Sequence, residues 1–111
     1  MSNATIERAA FEELQATAGE DFAKELVGTF LEEAPVMLTE LRAALAAGDA
    51  ESFRRAAHSL KSNSQTFGAT TLGAMARTLE LGGLPPDGAA LDALAQEYAR
   101  AAAALAELRD A

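Results

Sequence analysis

The chain contains no cysteine and no tryptophan, and its 111 residues include a single histidine and only three prolines. Without cysteine there can be no disulfide framework, no thiol nucleophile and no thiolate metal site. A lone histidine without a cluster of other ligand residues at the usual spacing also argues against a metal site. The absence of cysteine fits a reducing compartment, so we expect a cytoplasmic protein.

Basic residues are also scarce, because nine lysines and arginines stand against seventeen acidic residues, giving a net charge of −8. Proteins that neutralise phosphate groups need a basic surface, so neither nucleic acid nor an anionic membrane is an expected partner. No apolar run approaches the roughly 20 residues needed to cross a bilayer, and no signal-peptide pattern opens the chain. No glycine-rich strand-to-helix loop is present that could hold a nucleotide, so no ATP site is expected.

Half of the residues are apolar, mostly alanine and leucine, and this composition favours helices. The length predicts one domain over residues 5–111, and we set residues 1–4 apart as a chain start or a cloning remnant. Apolar residues recurring at steps of three and four predict helices over residues 6–17, 22–47 and 50–67, then from 69 or 70 to 81, and over 89–109.

Four of these helices are long and amphipathic and are joined by short connections. They predict an all-α fold, an antiparallel up-down four-helix bundle with a short N-terminal accessory helix packed across one end. We expect the protein to be a monomer. The expected inner stripe of the second helix is Phe22, Leu26, Phe30, Met37, Leu38, Leu41 and Leu45, and that of the last helix is Leu91, Leu94, Tyr98, Ala102, Leu105 and Leu108.

Capping and breaking residues set the expected helix ends. Thr5 and Asp21 are the expected N-caps of the first two helices. Gly48 should end the second helix and Asp49 should cap the third. Pro35 lies inside the second helix, where it removes a backbone donor, so we expect a bend there.

The single histidine lies on a helix with two distinct faces. At about 100° per residue, the apolar face is Phe53, Ala56, Ala57, Leu60, Ser64 and Phe67, and the polar face is Arg54, His58, Lys61, Ser62 and Gln65. A ring on the polar face can be reached by another macromolecule, and Lys61 can neutralise an anionic group placed on it. Phosphoryl transfer suits such a ring. On the pattern alone, however, a single histidine on a polar helix face is most often an ordinary surface residue.

Gly68 is the expected turn between the third and fourth helices. His58 lies ten residues before this glycine and Glu80 lies twelve residues after it, so the two side chains should have similar heights in an antiparallel pair. A carboxylate that accepts a hydrogen bond from one ring nitrogen makes the other nitrogen the better nucleophile. The spacing leaves open the alternative that Glu80 is an ordinary surface acid.

The run from Ala57 to Ser64, continued by Phe67-Gly68-Ala69, resembles the signature of histidine-containing phosphotransfer (HPt) domains. That signature reads Ala-His-x-Leu-Lys-Gly-small-small, with a Gly-Ala pair a few residues later. The resemblance extends over nearly the whole chain from about residue 6. One position departs from it, because Ser62 replaces the glycine that usually follows the lysine and leaves room for the partner. Serine is small, so we expect access to survive while the choice of partner can change.

The resemblance implies a phosphorelay function. His58 would accept and donate a phosphoryl group exchanged with aspartates of response-regulator receiver domains, Lys61 would stabilise the phosphate, and Glu80 would hydrogen-bond the ring. Sensor or hybrid histidine kinases would be further partners. The chain would be a phosphocarrier with no cofactor, and Mg²⁺ would belong to the receiver. The residues expected to contact the partner are Arg54, Arg55, Ser62, Gln65 and Gly68.

Two other interpretations remain open at the level of sequence. The bundle could be the phosphoacceptor module of a chemotaxis-type or hybrid histidine kinase, phosphorylated by an ATP-binding domain of its own protein. Alternatively, it could be a non-catalytic adaptor bundle in which the histidine is incidental. Coding sequence next to this chain would test the first interpretation, and phosphoryl labelling of His58 would test the second.

Overall fold

The computed structural model describes residues 5–110, and this part of the chain is all-α. Its five helices are α1 (Arg8–Ala18), α2 (Glu20–Ala47), α3 (Ala50–Thr66), α4 (Thr70–Gly82) and α5 (Ala89–Asp110), and no strand occurs in the same range. The prediction of an all-helical chain is therefore confirmed. None of the helices in residues 5–110 combines the length and apolarity that crossing a bilayer requires. The prediction for residues 1–4 lies outside the described residues.

The four longer helices enclose one hydrophobic core. Each of α2, α3 and α4 packs against the next helix in the chain, α5 also packs against α2, and α1 packs on α2 and α3. The largest fully buried side chains of the core are Val27, Leu41, Phe53, Leu60, Leu72, Leu94 and Leu105. The apolar face predicted for α3 is buried along its whole length. Burial of that face turns the opposite face of α3 towards solvent.

Two of the predicted helix starts are wrong. Helix α1 starts after Glu7 rather than after Thr5, and α2 starts after Gly19 rather than after Asp21. Neither of these two N-termini has a side-chain cap. The first difference has a tertiary cause, because the backbone N–H of Glu7 donates a 2.6 Å hydrogen bond to the carbonyl of Gly68. This bond ties the start of α1 to the turn between α3 and α4. The second difference follows from Gly19, whose positive φ of 93° joins the two helices without a linker and leaves Asp21 in the first turn of α2.

The predicted junction between α2 and α3 is confirmed. Gly48 ends α2 in the left-handed conformation, with a φ of 68°. Asp49 caps α3, and its Oδ1 accepts a 3.1 Å hydrogen bond from the backbone N–H of Ser52.

One prediction about the core is wrong, and one buried charge was not predicted. Phe22, expected on the inner stripe of α2, is 51% exposed, because its neighbours Ala23 and Val27 occupy the inward positions of that turn. Conversely, the charged residue Glu97 of α5 is only 3% exposed. The guanidinium of Arg100 compensates it, with 2.9 Å between Nη2 and Glu97 Oε1. A glutamate one turn from an arginine therefore lies among the apolar residues on the inner side of α5.

Pro35 is accommodated by a contact from α5. Helix α2 continues through this proline, which has no N–H to donate to the carbonyl of Leu31 one turn earlier. The hydroxyl of Tyr98 donates a hydrogen bond to that carbonyl oxygen instead, at 3.3 Å. The Tyr98 ring also contacts the ring of Phe30 edge-on, with 6.1 Å between centroids. The bend predicted at Pro35 stays a prediction.

We predict that the Tyr98 hydroxyl stabilises the fold only because Pro35 frees this carbonyl. Tyr98→Phe should lower the free energy of unfolding by about 1 kcal/mol, the typical net contribution of one hydrogen bond. In a Pro35→Ala background the alanine supplies the missing N–H. Tyr98→Phe should then lower the free energy of unfolding by clearly less. Urea unfolding of the four proteins in this double-mutant cycle measures the difference. An equal cost in both backgrounds would contradict the proposed link.

Candidate functional site

His58 lies on the exposed face of α3, and its side chain is 53% exposed. The opposite face of the same helix is anchored in the core by Phe53, Ala57 and Leu60. Those buried residues fix the rotation of α3 and thereby present the imidazole to solvent, as the periodicity predicted.

Glu80 of α4 holds the imidazole ring of His58. Its Oε2 lies 2.7 Å from Nδ1 of the ring, and the carboxylate side chain is only 11% exposed. An ionised carboxylate can only accept, so in the neutral ring this contact assigns the proton to Nδ1 and leaves the lone pair on Nε2. The pairing suggested by the spacing around Gly68 is therefore present in the structure. The ring is oriented by α4 while about half of the His58 side chain stays exposed.

Lys61 contacts the same carboxylate from α3. Its Nζ lies 3.0 Å from Glu80 Oε1, and its side chain is 20% exposed. The contact with the Lys61 ammonium, and next the hydrogen bond from His58, lower the pKa of Glu80 below its ordinary value. Glu80 thus stays ionised and remains an acceptor for the ring at neutral pH. The predicted position of Lys61 beside a phosphate stays a prediction, since its ammonium here pairs with the carboxylate.

Close packing of α3 and α4 makes these contacts possible. Gly73 of α4 faces α3, where an added Cβ would lie 3.4 Å from Gln65 Cγ and 3.6 Å from Ser64 Cβ. Ser64 is fully buried, and its hydroxyl donates a 2.6 Å hydrogen bond to the carbonyl of Leu60 in its own helix. Small residues on both sides therefore bring the two helices together near the ring.

Gly68 belongs to the framework and does not form part of the surface. It was predicted among the partner-contacting residues, but it is buried and its carbonyl accepts the hydrogen bond from Glu7. Its φ is +74°, and an added Cβ would lie only 2.6 Å from the carbonyl oxygen of Glu7. A side chain is excluded both by conformation and by space. The contribution of Gly68 is the tight turn that places α4 against α3.

The other predicted partner-contacting residues are exposed on α3. The guanidinium of Arg54 donates two hydrogen bonds to the carboxylate of Glu51, from Nη2 to Oε2 at 2.7 Å and from Nε to Oε1 at 3.3 Å. Arg55 donates a 3.3 Å hydrogen bond to the hydroxyl of Ser52, and it lines a groove of about 500 Å³ between α2 and α3. Their role in binding a partner stays a prediction, as does that of the exposed residues Ser62 and Gln65.

Some features of the site were missed in the sequence. The pairing of Arg54 with Glu51 could have been found from their three-residue spacing on one helix. The exposed residues Arg77 and Leu81 lie within one turn of Glu80 on α4, and neither belongs to a motif in the sequence. Within residues 5–110 there is no group of three or more acidic or histidine side chains that could hold a metal ion.

Comparison with known proteins gives one consistent family. The family model described as Hpt domain matches residues 25–104, a range that includes His58, Lys61 and Glu80. Among solved structures, the chain resembles histidine-containing phosphotransfer protein B (HptB) from Pseudomonas aeruginosa PAO1, with a TM-score of 0.89 and 29% sequence identity. That match covers 98% of this chain and 97% of the HptB chain. No curated protein matches the sequence.

We predict that the ionised carboxylate of Glu80 stabilises the fold and that its protonated form does not. Because its pKa is lowered in the folded state, the stabilisation is present above the ordinary value of 4.5 and is lost as the pH falls below it. Melting temperatures of the wild type and Glu80→Gln should differ at neutral pH and converge in acid. Two curves that keep a constant separation would show that the charge of Glu80 contributes nothing.

Proposed function

The chain belongs to the Hpt domain family, its function is histidine phosphotransfer in a phosphorelay, and we propose that His58 carries the phosphoryl group between receiver-domain aspartates. The observation that supports this assignment is the hydrogen bond from Nδ1 of the half-exposed ring to Glu80. In the neutral ring this bond places the proton on Nδ1 and the lone pair on Nε2, as a nucleophile requires.

The geometry fits a balanced exchange of one phosphoryl group. The Nε2 lone pair attacks the phosphorus of an aspartyl phosphate, the N–P bond forms as the P–O bond breaks, and the aspartate leaves as a free carboxylate. The proton stays on Nδ1, so the phosphorylated ring is cationic. The carboxylate of Glu80, 2.7 Å away, stabilises that positive charge. The reverse reaction passes the group to another aspartate.

The division of labour between the partners follows from this chemistry. Phosphoryl transfer depends mainly on positioning and charge neutralisation, and α3 supplies a nucleophile on a rigid helix. The chain thus acts as a phosphocarrier that takes its phosphoryl group from a sensor or hybrid histidine kinase through a receiver. Mg²⁺ would be held by the receiver. The residues proposed to contact the receiver are Arg54, Arg55, Ser62 and Gln65, which are exposed on the helix that carries His58.

The finer features of the predicted architecture belong to the same proposal. The cyclic packing of α2, α3, α4 and α5 supports an antiparallel up-down four-helix bundle with α1 as the accessory helix. A monomer and a cytoplasmic location stay predictions. An adaptor bundle with an incidental histidine gives no reason for a largely buried glutamate and a lysine to converge beside the ring.

We predict that His58 is the labelled residue. A receiver domain charged with radioactive acetyl phosphate should transfer label to this protein, and the product should be acid-labile and base-stable, as expected of an N–P bond. His58→Gln should abolish the label. Thr29→Ala, an exposed change near the start of α2, serves as the control and should retain it. Undiminished labelling of His58→Gln would refute the assignment.

We also propose that the ammonium of Lys61, one turn from His58, stabilises the transferred phosphate. Lys61→Ala should lower the transfer rate by roughly tenfold while the helix content stays unchanged, because charge neutralisation is lost at the reacting centre. Lys61→Arg retains a cation and should recover much of the rate. Rapid-quench transfer kinetics and circular dichroism measure the two effects. Equal rates for Lys61→Ala and the wild type would remove this lysine from the mechanism.

A further inference from the structure

Charge is distributed unevenly between the histidine-bearing hairpin and the rest of the chain. Residues 50–82, which form α3, α4 and their turn, contain four basic and two acidic residues, a net charge of +2. The remaining residues contain five basic and fifteen acidic residues, a net charge of −10. The reactive ring is therefore carried by the one basic part of an acidic protein.

Arg77 is a cation on this hairpin that the phosphotransfer chemistry does not use. It lies on α4 between Gly73, which packs against α3, and Glu80, which reaches His58. Spacings of four and three residues place Arg77 along the same side of α4, next to the α3 contact. Its side chain is exposed, and among residues 5–110 it has no hydrogen-bond or ion-pair partner. An unpaired arginine beside the site is free to bind an external anion.

Leu81 follows Glu80 directly and lies one turn after Arg77. It is 66% exposed, more than the other large apolar side chains on the described surface, Phe22 at 51% and Val36 at 56%. Both of those residues belong to α2. An exposed leucine one turn from an unpaired arginine offers an apolar contact beside a charge, the combination that a docking partner with an apolar centre and a charged rim would use.

The chemistry of the partner indicates what Arg77 and Leu81 would bind. The group that exchanges phosphate with His58 is a carboxylate, and the Mg²⁺ beside it needs further carboxylate ligands. The partner must therefore present an acidic face to His58. A basic residue one turn from Glu80, which contacts the ring, is complementary to that face, whereas the strongly acidic remainder of the chain repels it.

We propose that Arg77 and Leu81 form a docking site, called here the α4 edge, for the acidic rim of the receiver domain. This inference rests on phosphoryl transfer at His58 as proposed above. Leu81 supplies the apolar contact, and Arg77 supplies a charge that steers the receiver and fixes its orientation over the ring. The α4 edge thereby selects which receivers exchange phosphate with this protein.

Leu81→Ser tests the apolar contact. The probe is the receiver domain that exchanges phosphate fastest with the wild-type protein. We expect kcat/KM for transfer from this receiver to fall about tenfold, mainly through KM, because truncating an interface contact weakens docking. Labelling of His58 by phosphoramidate, a small donor that needs no docking, should remain within about twofold of the wild type. Unchanged transfer in Leu81→Ser would overturn the proposal.

Arg77→Ala tests the charge. It should lower kcat/KM by about threefold at low ionic strength and make transfer less sensitive to added salt, because a long-range attraction is removed. Two control variants make matched changes on α2: Lys24→Ala removes a cation and Phe22→Ser removes an exposed apolar side chain. Both should leave transfer from the receiver and labelling by phosphoramidate unchanged. An Arg77→Ala variant with the salt dependence of the wild type would contradict the role of the α4 edge.

The remaining outcomes separate this inference from its alternatives. If Val36→Ser on α2 impairs transfer and Leu81→Ser does not, the receiver docks on α2 and the proposal is wrong. If sedimentation shows a wild-type dimer that Leu81→Ser dissociates, a second copy of the chain covers the α4 edge and the proposal is equally wrong. If phosphoramidate does not label the wild type at His58, the phosphotransfer assignment fails and the docking site fails with it.

Discussion

One carboxylate links the two helices of the site. Glu80 of α4 accepts a hydrogen bond from the ring of His58 and forms an ion pair with Lys61, and both of these partners belong to α3. The same group therefore sets the orientation of the imidazole, selects its tautomer and balances the charge of the lysine. Lys61 in turn keeps the carboxylate ionised. If α4 moved away from α3, an ordinary surface histidine would remain.

The rest of the chain keeps these two helices in place. Gly68 permits the tight turn, and the start of α1 is hydrogen-bonded to that turn through Glu7. Gly73 allows the close approach of α4 to α3. On the other side of the bundle, Tyr98 compensates the backbone donor that Pro35 lacks, so that α2 runs unbroken. The exposed site is small, and most of the molecule acts as its rigid support.

The sequence predicted the parts of this structure that depend on local pattern. The buried and exposed faces of α3 follow from helical periodicity, and the junction at Gly48 and Asp49 follows from capping preferences. Contacts between distant residues were harder to predict. Thr5 failed as a cap because the hydrogen bond of Glu7 to Gly68 sets the start of α1. Spacing placed Glu80 near the ring, but it could not show that Lys61 points to the same carboxylate, since side-chain direction depends on tertiary packing.

The central claim is that Glu80 reserves Nδ1 of His58 for a proton and thereby directs the phosphoryl group to Nε2. Nitrogen-15 NMR of the phosphorylated protein measures this most directly, because coupling to phosphorus identifies the bonded ring nitrogen. The account predicts that phosphorus couples to Nε2 and that Nδ1 retains its proton. A phosphoryl group found on Nδ1 would contradict it, since that nitrogen could not then donate to Glu80.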